Sequence, residues 1–135
     1  MEEYVVRPVG VVRSALKDPA DAPKQGALTG QEAEIVVDAA YLPALDGLAN
    51  RKKIVVLCWM HGADRARLKV HPRGREERPE RGVFSTRSPH RPNPVSLHTV
   101  ALLSIEGNVL RVRGMDAIDG TPVVDIKPHS AELDG

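Results

Sequence analysis

Only one cysteine, Cys58, stands in the 135 residues, which excludes a disulfide framework and any CxxC zinc site. Aromatics are scarce as well: Tyr4, Tyr41, Trp59 and Phe84 make up 3% of the chain. That poverty speaks against RNA-binding modules that stack several bases along a sheet. The longest apolar run, Ile54 to Met60, falls far short of the roughly 20 residues of a membrane span. An excess of one charge is missing too, with 19 Lys and Arg against 18 Asp and Glu. At first sight that balance argues against nucleic acid as a partner. The acidic opening Met1-Glu2-Glu3 lacks the basic start of a targeting peptide. No GxGxxG follows a strand, and GxxxxGK[ST], GxSxG and HExxH are absent. The expectation is a cytoplasmic protein without membrane contact.

What is present suits a folded globule. Hydrophobic residues reach 41% and charged residues 27%, too apolar for disorder. The length predicts one domain over residues 1–135, with no C-terminal extension. Most periodic segments alternate with period two. Strands are expected over Tyr4–Arg13, interrupted by Pro8 and Gly10, then over Glu34–Val37 and Arg65–His71. Lys53–Met60 is apolar on both faces and reads as a buried strand. Val95, Leu97, Thr99, Ala101, Leu103 and Ile105 share one face of a long strand, which Glu106-Gly107-Asn108 turns into Val109–Arg113. Val123–Ile126 is the last strand. Ala39–Leu48 allows one or two helical turns, with Pro43 near the start and Gly47 as a stop. The fold class is all-β, a barrel or a sandwich with long loops and little helix. Lys17–Gln31 and the almost wholly charged Pro72–Gly82 are the conspicuous loops.

Chemistry concentrates in two places. In Gly82–Leu97 (GVFSTRSPHRPNPVSL), Pro89, Pro92 and Pro94 fix φ and restrict their neighbours, so Arg87, His90, Arg91 and Asn93 stand on a stiff frame. Such a frame preorganises donors for an anionic ligand. In Asp116–Lys127 (DAIDGTPVVDIK), the turn Asp119-Gly120-Thr121-Pro122 leads to Asp125 and Lys127 on one strand face. Cys58 and His61 are three apart on a strand and point to opposite faces, so no metal site is expected there. Cys58 reads as a core thiol. His61 ends an apolar strand just before Gly62, a common place for a site residue and equally for a structural histidine.

At GVFSTRSPHRPNP followed by DGTPVVDIKP, the sequence resembles the TsaA-like, or TrmO-like, family. These are S-adenosylmethionine-dependent tRNA adenine N6-methyltransferases and their relatives. VGVVRS, PKQG and WMHG match as well and in the family's order, so the likeness runs from about Val9 to Pro128. The resemblance implies a small antiparallel β-barrel that binds S-adenosylmethionine near a homodimer interface. It puts the cofactor contacts at Lys24, Gln25, His61, Gly62, Arg87, Leu97, Asp119, Gly120, Thr121 and Pro122. Its RPNP and DIKP segments land on Arg91 to Pro94 and Asp125 to Pro128, which makes Arg91, Asn93 and Lys127 substrate-binding candidates. His61 and Asp119 are the candidates for the proton acceptor. The family usually carries Gly and Ser after RPNP, where Ser96 and His98 stand here.

Three functions follow from that resemblance. One is methylation of a modified adenosine beside the tRNA anticodon; another is methylation of a small molecule or another RNA. The third is a sensor that binds the cofactor and performs no chemistry. Charge distribution bears on the choice. Residues 65–91 hold nine Lys and Arg against three Asp and Glu, a net of +6, and the rest of the chain carries −5. The formal +1 therefore conceals a basic block. Arg65, Arg67, Lys69, Arg73, Arg75, Arg78, Arg81 and Arg91 are expected to form or border a phosphate-facing surface, with Arg73 and Arg75 among the substrate contacts.

Overall fold

The computed structural model describes residues 1–17, 31–72 and 75–134. Eight strands run in chain order: β1 (Gly10–Arg13), β2 (Glu32–Val37), β3 (Lys53–Trp59), β4 (Lys69–Val70), β5 (Arg81–Gly82), β6 (Val95–Glu106), β7 (Val109–Arg113) and β8 (Pro122–Pro128). The chain divides into two compact units, Met1–Cys58 with Leu97–Gly135, and Trp59–Ser96. Strands β1-β2-β7-β6-β3-β8 close into an antiparallel barrel, as the resemblance implied, and β4 and β5 form a separate ribbon.

Alternation builds the barrel core. Ala33, Ile35 and Val37 of β2, Ile54, Val56 and Cys58 of β3, and Leu110 and Val112 of β7 all point inward, two residues apart. Each of these three strands thus points one row of small or branched apolar side chains into the core. Burying such a side chain contributes about 1.5–3 kcal/mol. The Cys58 side chain lies in this core, and Val55 is buried too, so β3 is apolar on both faces as its sequence suggests. Hairpin β6–β7 turns at Gly107, φ +61°, where its sequence places it.

Elsewhere the expected elements change. The first strand is confined to Gly10–Arg13, because Pro8 has no amide to donate and the first cross-strand bond is Val9 N to Val123 O at 2.7 Å. Arg65–His71 shrinks to Lys69–Val70. There the Asp64 carboxylate accepts the Ala66 amide in a local turn, at 3.0 Å, which takes the backbone out of strand geometry. Pro43 falls inside the helical segment rather than at its start, so Ala39–Leu45 winds as a 3-10 helix capped by Asp38, and Leu48–Asn50 forms a second.

On the long strand β6, Val95, Leu97, Thr99 and Leu103 of the expected common face are all exposed, while Val100 is buried. A bulge between Leu102 and Ser104 then shifts the register, so Leu102 and Ile105, three apart, both pack on the core.

Candidate functional site

Within Trp59–Ser96, side chains brace the segment that the prolines stiffen. The Arg91 guanidinium donates from one nitrogen to the carbonyls of Thr86 and Ser88, both at 3.0 Å. Arg65 donates to Pro92 O at 2.6 Å and to Asn93 Oδ1 at 3.2 Å, and its guanidinium lies 5.1 Å from the Trp59 ring centre. His90 Nδ1 accepts the Asp64 amide at 3.0 Å. Pro94 is fully buried, and its carbonyl accepts the Met60 amide at 2.8 Å. Arg91 and Asn93, the expected substrate contacts, also brace this segment from within, Arg91 through one nitrogen and Asn93 through Oδ1. Arg87 is left exposed, with no hydrogen bond or ion pair among the described residues. His61 and Gly62 follow β3 in an exposed turn, and the space beside Gly62 is open for 4 Å around an added Cβ.

Within the barrel unit, Asp119 is the hub of its loop. Its carboxylate accepts the Ser14 amide at 3.0 Å and pairs with Lys17 at 2.9 Å, and its amide donates to Leu16 O at 2.6 Å. The bond to Lys17, then that to Ser14, hold Asp119 below the usual aspartate pKa. Ser14 adds a second tie, its hydroxyl donating to Ala117 O at 2.9 Å. Gly120, φ +85°, closes the turn, and its amide bonds Val12 O at 2.8 Å. Thr121 turns inward, buried, its hydroxyl donating to Ile118 O at 2.6 Å. The turn has therefore spent its amides. The carbonyls of Asp119 and Gly120 accept no hydrogen bond among the described residues, so it presents acceptors.

A cleft of about 450 Å³ opens beside this turn, lined by Asp119 with Arg13, Ser14, Lys17, Glu32, Glu34 and Arg111 among others. Arg111 bridges Glu32 at 3.5 Å and Glu34 at 3.7 Å. Apart from Asp119, sequence reasoning did not single these lining residues out, although Ser14 ends the VGVVRS match. It also missed His98, whose Nδ1 lies 2.9 Å from Asp116 Oδ1 in the same loop. That hydrogen bond lowers the Asp116 pKa, against the opposing effect of burial. Leu97 is 50% exposed, and Asp125 and Lys127 form an exposed ion pair at 3.4 Å. Lys24, Gln25 and Arg73 lie outside the described residues. No group of three or more His, Cys, Asp or Glu converges among the described residues.

The model of the tRNA-methyltransferase O N-terminal domain matches residues 11–135. The chain belongs to that family. A probable S-adenosyl-L-methionine-binding protein of Methanothermobacter thermautotrophicus is 54% identical over 98% of this chain and 94% of its own length. An S-adenosyl-L-methionine-binding protein of Archaeoglobus fulgidus is 47% identical over 96% of this chain and 92% of its own. Among solved structures, TrmO from Pseudomonas aeruginosa superposes with a TM-score of 0.80 at 29% identity, over 99% of this chain and 59% of that one. The family fold is thus the closed barrel seen here, and this chain spans about three fifths of the solved TrmO chain. No helix among the described residues is long and apolar enough to cross a membrane.

Proposed function

We propose that this chain methylates N6 of a modified adenosine next to the tRNA anticodon, with S-adenosylmethionine as donor. Family membership and the relatives' names support the cofactor, and the donor set fits it. The observation that carries the reading is Arg87: an unengaged guanidinium on a frame that prolines and five internal side-chain bonds hold in place. It suits the carboxylate of the cofactor's amino-acid end. The carbonyls of Asp119 and Gly120 suit donors such as the adenine amine or ribose hydroxyls. Lys24, Gln25, His61, Gly62, Leu97, Thr121 and Pro122 complete the proposed set, with Thr121 contributing through the shape of the turn rather than its hydroxyl.

Bound S-adenosylmethionine would supply the methyl group: attack of the adenosine nitrogen on the methyl carbon would break the carbon–sulfur bond, with the neutral thioether S-adenosylhomocysteine as leaving group. The chain's residues supply alignment, which a rigid frame delivers at little entropic cost. A proton must leave the adenosine nitrogen. Asp119, ionised and held by Lys17 and Ser14, is a poor acceptor. His61, exposed and without a partner among the described residues, takes that role in our reading. A homodimer fits the exposed Leu97 and Leu103 on the outer side of β6, and a tRNA substrate fits a cytoplasmic protein.

The test is transfer of labelled methyl from S-adenosylmethionine to bulk tRNA, followed by nucleoside mass spectrometry. N6-methylation by the wild type, lost in Arg87→Ala together with cofactor affinity in calorimetry, is the expected result. Cofactor binding without transfer to tRNA would move the assignment to another acceptor or to a sensor. No cofactor binding at all would sink the reading.

A further inference from the structure

The chain's one phenylalanine is not in a core. Phe84 is 81% exposed, and Leu68 is 65% exposed. The Leu68 carbonyl accepts the Val83 amide at 2.9 Å, so these two bare apolar residues flank one end of the β4–β5 ribbon. The turn that carries Phe84 is locked. Ser85 Oγ donates to Gly82 O at 2.8 Å, and Thr86 donates to Val83 O from its amide at 3.0 Å and its hydroxyl at 2.9 Å. Val83 points inward and is buried, which leaves the adjacent ring outward on a backbone with little freedom to lose.

The surroundings in sequence and register are cationic. Lys69 pairs Gly82 and Arg81 pairs Val70 across the ribbon. Lys69, Arg78 and Arg81 are exposed and enter no ion pair among the described residues. Glu76, Glu77 and Glu80 share the preceding turn, yet the block from 65 to 91 stays at +6. An apolar ring set among cations matches a partner that carries negative charge and flat apolar faces in alternation. A second copy of the same surface would bring like charge and be repelled. Single-stranded nucleic acid has both features, since every base has a π-face and every link a phosphate.

We propose that Phe84 is a stacking platform for one unpaired base of a bound RNA, whose phosphates lie along Lys69, Arg78 and Arg81. This deepens the tRNA reading and rests on it for the identity of the RNA. The probe is a fluorescently labelled single-stranded RNA of about 12 nucleotides, titrated with full-length protein and followed by anisotropy. Phe84→Ala should weaken binding about tenfold, within the range of base–aromatic stacking, and Phe84→Trp should restore it. The dependence of affinity on salt should keep its slope in Phe84→Ala, because no phosphate contact is lost. Calorimetry with S-adenosylmethionine should find its affinity unchanged in both variants.

Equal binding by Phe84→Ala and wild type overturns the proposal, as does failure of Phe84→Trp to restore affinity. A shift to a smaller assembly in sedimentation, caused by Phe84→Ala, assigns the ring to self-association and also overturns it. The two readings fail separately. RNA binding that depends on Phe84, with no methyl transfer to tRNA, removes the methyltransferase assignment and leaves this one standing. Methyl transfer with full RNA affinity in Phe84→Ala does the reverse.

Discussion

Asp119 shows how a residue's role depends on what already holds it. From the sequence it reads as an acidic turn residue open to a ligand. In the fold its carboxylate clasps the end of β1 through Ser14 and pairs with Lys17. Those contacts lower its pKa, so the charged form belongs to the folded state. Its stabilising effect is therefore present above the ordinary aspartate value of 3.8 and is lost as pH falls through the lower folded value. Asp119→Asn keeps an oxygen for the Ser14 amide but removes the charge. Its thermal stability should therefore fall less steeply than the wild type's between about pH 5 and pH 2, measured by melts across that range. Methyl transfer should survive in Asp119→Asn far better than in His61→Gln, compared at saturating cofactor. A larger loss in Asp119→Asn would reverse the assignment of the proton acceptor.

Strands are legible where apolar rows are regular or continuous, and less so along β6. Residues 109–113 and 53–59 carry their burial pattern on their surface, with hydrophobic rows two apart or continuous. β6 does not, because the bulge at Leu102–Ser104 turns a period of two into an inward pair three apart. Its apolar residues sit at odd and even positions alike, so alternation alone does not tell which face is inner. The candidate site was legible as motifs, but not the braces: Arg65 on Pro92 and Ser14 on Asp119 join residues 27 and 105 apart. Glycines divide by cause at this scale. A Cβ on Gly10 would stand 2.6 Å from Val36 O, where β1 meets β2 backbone to backbone. Gly120 has open space around it but φ +85°. Gly10→Ala should cost about 1–3 kcal/mol by overpacking, and Gly120→Ala about 1–2 kcal/mol by conformation alone. Asparagine tolerates the left-handed region, so Gly120→Asn should recover much of the loss while Gly10→Asn should be worse than Gly10→Ala. Urea unfolding of the four variants checks this, and rescue at Gly10 would contradict it.

At the scale of the whole chain, charge is sorted by segment rather than in excess. The formal +1 is the sum of +6 over residues 65–91 and −5 elsewhere. Part of the basic block is spent internally: Arg91 on two carbonyls, Arg65 on Pro92 and Asn93, Arg67 on Asp64 at 3.7 Å. What remains exposed and unpaired among the described residues is Lys69, Arg75, Arg78, Arg81 and Arg87. Arginines counted from composition therefore overstate the contact surface, and the smaller set fixes a magnitude. If four of these cations each neutralise a phosphate, affinity for tRNA should vary with salt with a slope of about −3 on logarithmic axes. Between 50 and 200 mM salt that is a loss on the order of a hundredfold. Replacing Lys69 and Arg81 together with alanine should lower the slope by about 1.5–2, whereas Arg91→Ala should change it little and act instead by loosening the proline frame. Filter binding of tRNA at four salt concentrations measures all three slopes. A flat response in the wild type would show that the basic block faces solvent alone, and a slope change in Arg91→Ala equal to that of a phosphate contact would return Arg91 to the binding surface.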